Sequence, residues 1–162
     1  MKVKVITDTG TQYVAIVGKN ASLGPHFRLV ELANNKGDAS LPQWIDSPES
    51  RLFMVMLEEF RVWFDLPMVI SSGYRQPDWN AQVGGDPRSA HLIACAADWV
   101  ITHNDNQREN VKNRWRKVCS DHGVIGAINF YSRGYHLEAF SDKCYNAKAF
   151  AVRDYRGTSK DW

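Results

Sequence analysis

The chain has 162 residues, 44% of them hydrophobic and 23% charged; this is one domain's length at an ordinary globular composition, which disfavours disorder, fibres and membrane insertion. A formal charge of +2 is too small to argue for nucleic acid as a partner, because phosphate binding needs several clustered Lys or Arg. Cys95, Cys119 and Cys144 are odd in number and form no CxxC pair, so neither a disulfide framework nor a thiolate zinc site is indicated.

The start, MKVKVITDTGTQ, has no apolar run of signal-peptide length. The expectation is a chain made in the cytoplasm, with delivery to any outside substrate left to something other than its own leader. Val3 to Ile6 and Tyr13 to Val17 are β-prone runs around the turn-rich DTGTQ and read as an N-terminal hairpin. A loop through Asn20, Gly24 and Pro25 leads to a short helical patch, Arg28 to Ala33, and DASLPQW reads as surface loop.

The clearest helix begins at Ser47, a good N-cap, with Pro48 at the first helical position. Leu52, Met56, Phe60 and Trp63 recur every three or four residues, which predicts one broad buried face ending before Pro67. Met68 to Ser72 reads as a buried strand, and GYRQPDWNAQVGGDPRSA as a long ordered loop, a length that marks function more often than simple connection. His91 to Ile101 is strand-like at its far end. Asn104 or Asp105 would cap a second helix running to His122, closed by Gly123. Val124 to Phe130 and Tyr135 to Phe140 read as two strands joined by a tight turn, and Phe150 to Arg153 as an edge strand. The sum is a single α+β domain, a central antiparallel sheet with helices packed on it.

SAHLIACAADWV carries the chemistry. His91 and Asp98 could not share an ion from one straight strand, because seven steps of ~3.3 Å exceed about 20 Å. A turn between them would let Asp98 return to His91 from mid-strand, with His136 joining from a neighbouring strand. Two imidazoles and one carboxylate leave a tetrahedral Zn2+ one open position, the arrangement of catalytic sites. Taken alone, each histidine is as readily an ordinary surface or satisfied residue.

The motifs go further. SGYRQPDWNAQVGG, then SAHLIACAAD, then YHLE resemble the zinc D-alanyl-D-alanine carboxypeptidases and L-alanyl-D-glutamate endopeptidases, relatives of the hedgehog signalling domain that often serve bacteriophages as endolysins. The family pattern is approximately S-G-Y-R-S-P, N, V-G-G, S-x-H-x-x-G-x-A-x-D and a strand with H-x-D or E-x-x-H. His26, Phe27, Arg28, Leu29 and Glu31 resemble its early segment. The likeness covers residues 26–140, leaving 1–25 as a hairpin extension and 141–162 as a tail.

The resemblance implies that His91, Asp98 and His136 hold zinc and that Arg75 faces the scissile carbonyl. It further implies that Ser89 hydrogen-bonds either substrate or a metal ligand, while Asn80, Gly84 and Gly85 shape the loop; the flanking Tyr74 is a candidate substrate contact. Trp79, Tyr131 and Tyr135 also flank the site as candidate cleft walls, with an equal case for Tyr135 in the core.

Three positions depart from the pattern. Ala94 replaces the glycine between the first two ligands, so its turn is expected to use negative φ or another bend. Arg133 stands at the glutamate of E-x-x-H and cannot accept a proton. Glu138 replaces aspartate in H-x-D; two residues from His136, it shares that face of the strand and is a general base, an acceptor orienting a ligand histidine, or a surface carboxylate. His26, His103 and His122 read as ordinary, His122 favoured by a helix C-terminus.

The implied function is a zinc metallopeptidase, D,D-carboxypeptidase or endopeptidase, that cleaves peptidoglycan stem or cross-link peptides as a phage lysis or virion-associated enzyme. A monomer is expected. The competing readings are a non-catalytic zinc-binding recognition module and a virion structural protein with the same fold.

Overall fold

The computed structural model describes residues 2–7, 10–15, 24–32, 47–100 and 107–161. The expected α+β fold is present: a five-stranded sheet in the order β3-β4-β6-β5-β7, with helices packed on it. Its strands are β3 (Val69–Ser72), β4 (Ala96–Val100), β5 (Ala127–Phe130), β6 (Gly134–Glu138) and β7 (Ala151–Asp154). All neighbours pair antiparallel except β5 and β7, so the edge strand makes the sheet mixed. The N-terminal hairpin is β1 (Lys2–Thr7) paired with β2 (Gly10–Ala15).

Helix α1 (Leu29–Leu32) is followed by α2 (Pro48–Phe64), capped as the sequence indicates: Ser47 Oγ accepts the Ser50 N–H at 3.0 Å, with Pro48 in the first turn. The loop after β3 is more structured than expected. Pro77–Gln82 forms helix α3, started by Pro77, and Ala90–Ile93 is a 3₁₀ turn. Helix α4 is described from Arg108 to Asp121 and α5 spans Ser141–Tyr145. The candidate caps Asn104 and Asp105, His103, and the DASLPQW loop lie outside the described residues.

Period-two alternation divides the sheet into a core face and a functional face. On the core face, Trp99 of β4 and Tyr135 of β6 pack with tilted rings, 4.8 Å between centres. Phe60 of α2 meets Trp99 at 5.9 Å and Trp115 of α4 at 5.8 Å, both edge-on, which ties the two helices to the sheet. Edge-on aromatic pairs contribute about 1 kcal/mol each beyond their buried area. On the opposite face, the cross-strand register aligns Ser72, Asp98, His136, Asn129 and Arg153 in one row running from β3 to β7.

Candidate metal centre

Asp98 and His136 are direct partners across β4 and β6, so their side chains rise together from the sheet. His91 comes to them from the 3₁₀ turn. Ser89 starts that turn, its Oγ accepting the His91 N–H at 3.3 Å, and Ala94 ends it. Ala94 has φ 54° and ψ 34°, the left-handed conformation, so of the two expected routes, negative φ or another bend, the chain takes the second: alanine adopts the bend that glycine makes at less cost. The reversal brings the chain back through Cys95 into β4.

The loop after β3 closes the other side. Tyr74 N–H donates to the Leu32 carbonyl at 2.6 Å and Arg75 N–H to the His91 carbonyl at 3.1 Å. A Cβ on Gly73 would stand 2.1 Å from the Leu32 carbonyl oxygen, so only glycine fits beneath α1. Gly73 in turn presents its own carbonyl to the ring of His91, whose Nδ1–H donates to it at 2.5 Å.

Three donors meet at the centre. His91 Nε2 lies 3.2 Å from His136 Nδ1, and Asp98 Oδ1 is 3.3 Å from the former and 2.8 Å from the latter. All three residues are buried, and their ligand atoms fall within 4.8 Å of one another. The outward nitrogens fix the proton positions. His91 Nδ1 faces a carbonyl and His136 Nε2 faces Glu138 Oε2 at 2.9 Å, and both partners can only accept. In the neutral rings both protons therefore point outward, leaving two nitrogen lone pairs and a carboxylate oxygen aimed at one point. That donor set fits a divalent cation of the zinc type.

The three groups are electrostatically coupled. Burial raises Asp98, but His91 and His136 outweigh it and hold the carboxyl well below its usual range. Burial lowers His91; on His136 burial is outweighed by Asp98 and Glu138, which push the ring up to about 9. Arg75 completes the cluster, donating from Nη2 to Asp98 Oδ2 and from Nε to Ser72 Oγ at 2.9 Å.

A sequence model of the family described as Peptidase M15 matches residues 25–136. The chain belongs to the peptidase M15 family. Members are zinc-dependent metallopeptidases, and this M15 chain carries a buried His-Asp-His set able to hold the ion. No curated protein matches the chain.

The centre opens into a cleft of about 1040 Å³, which is also lined by Arg75, Ser89, Trp79 and Tyr131. Tyr74 and Tyr135 are not in this lining. Tyr74 is 4% exposed and Tyr135 is fully buried, both within the hydrophobic core, so the expectation of Tyr74 as a substrate contact is corrected: the residue before Arg75 points inward. Tyr145 of α5 takes a place in the wall, in the same lining as Ser89, that the sequence did not suggest.

Glu138 is 1% exposed, which removes the surface reading. Its Oε2 accepts from His136, and its Oε1 accepts the Ser141 hydroxyl at 2.7 Å. Arg133 is exposed in the turn between β5 and β6, away from the cleft. Asn80 and the glycines shape the loop: Asn80 Nδ2 donates to the Asp86 carbonyl at 2.9 Å, and Gly84 has φ 70°. His26 pairs with Glu58 at 2.8 Å and His122 with Glu59 at 3.0 Å, both remote from the centre in sequence and partners.

Proposed function

We propose that this M15 peptidase is a monomeric zinc enzyme hydrolysing amide bonds in the stem or cross-link peptides of peptidoglycan, as a phage lysis or virion-associated protein. The observation that carries the reading is the convergence of His91 Nε2, His136 Nδ1 and Asp98 Oδ1 in the lining of a cleft of about 1040 Å³. The wall substrate and phage setting are supported by the likeness of SGYRQP, SAHLIACAAD and YHLE to wall-cleaving enzymes.

His91, Asp98 and His136 would hold the metal. Zinc bound there would supply Lewis acidity, polarising a substrate carbonyl and making water nucleophilic near neutral pH. The protein's own contribution is preorganisation. Gly73 fixes the ring of His91, Glu138 fixes that of His136, and Arg75 holds Asp98 while lining the cleft with further N–H groups suited to a developing oxyanion. With both oxygens occupied, Glu138 acts as the acceptor that orients His136 rather than as a proton-abstracting base. Ser89 and Tyr145 would position the peptide.

A second reading, a zinc-binding recognition module without turnover, is favoured by one observation: Glu138 is engaged on both oxygens while exposed Arg133 occupies the E-x-x-H position. Zinc-loaded protein incubated with purified peptidoglycan distinguishes the two. New amine and carboxyl ends in the stem peptides, read by mass spectrometry, support the peptidase. An unchanged peptide profile, with the peptides retained on the protein, supports the module.

A further inference from the structure

The row of residues across the functional face does not stop at the metal ligands. Beyond His136 it continues to Asn129 on β5 and Arg153 on β7, and all three line the same cleft. Arg153 lies outside the segment matched by the family and takes no part in holding the metal.

Its surroundings set it apart from the other two cleft arginines. Arg75 is paired with Asp98, and Arg88 lies 3.6 Å from Asp86. Among the described residues Arg153 forms no salt bridge. One of its five N–H donors is engaged: Nη1 donates to Asn129 Oδ1 at 3.3 Å. The guanidinium also lies over the ring of Tyr145, 5.9 Å from its centre. Arg153 is half-buried, so its charge is held in place and partly desolvated without a salt-bridge partner among the described residues. Such a group favours an anion with planar, two-point geometry, which a carboxylate supplies.

Position limits the ligand further. Adjacent strands are ~4.8 Å apart, and the guanidinium reaches Asn129, the direct partner of His136 across β5 and β6, so its charge lies about one strand spacing from the His136 column. An extended peptide advances ~3.3 Å per residue; a carboxylate carried by the residue flanking the cleaved amide would therefore reach Arg153.

We propose that Arg153, oriented by Asn129 and Tyr145, is the specificity-determining residue that binds a substrate carboxylate on the residue flanking the scissile amide. This rests on the reading of the cleft as a peptide-binding site. A role confined to holding β7 against β5 would lower stability and affect all ligands alike, which separates it from recognition.

The test is calorimetric titration of zinc-loaded protein with N-acetyl-D-alanyl-D-alanine and with its C-terminal amide, alongside hydrolysis of both. The wild type is expected to bind the free acid roughly tenfold or more tighter than the amide, the scale of a charge-assisted pair. Arg153→Gln should abolish that preference by weakening the acid alone, Arg153→Lys should keep part of it, and zinc content should stay at the wild-type value. Equal affinity of the wild type for the two probes, no binding of either, or parallel weakening of both by Arg153→Gln overturns the proposal. The wild-type comparison decides even if Arg153→Gln does not fold. Preference for the acid with no hydrolysis of any wall peptide would instead defeat the peptidase reading and leave Arg153 standing, whereas hydrolysis of both probes without preference would do the reverse.

Discussion

His136 donates its Nε2 proton to Glu138 Oε2 at 2.9 Å, a bond between two residues of one strand that turns the Nδ1 lone pair of His136 towards Asp98 and His91. Partners of this kind commonly contribute ten- to a hundredfold to metal affinity. Glu138→Gln is therefore expected to weaken zinc binding by roughly ten- to a hundredfold, measured by competition with a chromogenic chelator. A variant that keeps full zinc affinity and loses only turnover would identify Glu138 as a base instead.

Gly73 links the fold to the centre. Its missing side chain admits the Leu32 carbonyl, and its own carbonyl aims His91. Gly73→Ala must move backbone, so it is expected to cost about 2 kcal/mol or more of stability and to lower zinc affinity as well. Thermal melts with and without zinc measure both effects; a variant matching wild type in both contradicts the account.

Ala94 holds φ 54° between the first two ligands. A left-handed alanine costs about 1 kcal/mol, offset in part by the greater unfolded-state entropy of glycine. Ala94→Gly is expected to be neutral or stabilising by up to about 1 kcal/mol with zinc affinity retained. Destabilisation beyond about 1 kcal/mol in chemical denaturation would show that the buried methyl outweighs the strain.

Arg75 holds Asp98 from one side and Ser72 from the other. Lysine keeps the charge but not the fork. Arg75→Lys is expected to reduce kcat/KM on stem peptides by roughly tenfold to a hundredfold with a smaller effect on zinc content. Unchanged kinetics would remove Arg75 from the site.

How much of this was legible depends on the kind of signal. His91, Asp98 and His136 stand in motifs, and the strands around them are short apolar runs bounded by turns, so the donors could be named before the fold was known. The αL bend at Ala94 was not readable, because alanine gives no local cue for positive φ. Helix α3 hid in a loop: six residues with Pro77 at the start are too short for a periodic pattern. Tyr74 looked like a cleft residue by proximity to Arg75, yet neighbours in an extended segment point opposite ways, and it faces the core. Asn129, Tyr145 and Arg153 carry no motif. What unites them is cross-strand register and the placement of α5, which only the assembled sheet supplies.

The central claim, one catalytic zinc held by His91, Asp98 and His136, is tested most directly by metal analysis paired with hydrolysis of peptidoglycan stem peptides. The account predicts one zinc per wild-type chain, activity lost on chelation and restored by zinc, and neither zinc nor activity in folded His91→Ala. Undiminished hydrolysis after complete removal of metal, or a full zinc complement in His91→Ala, would contradict it.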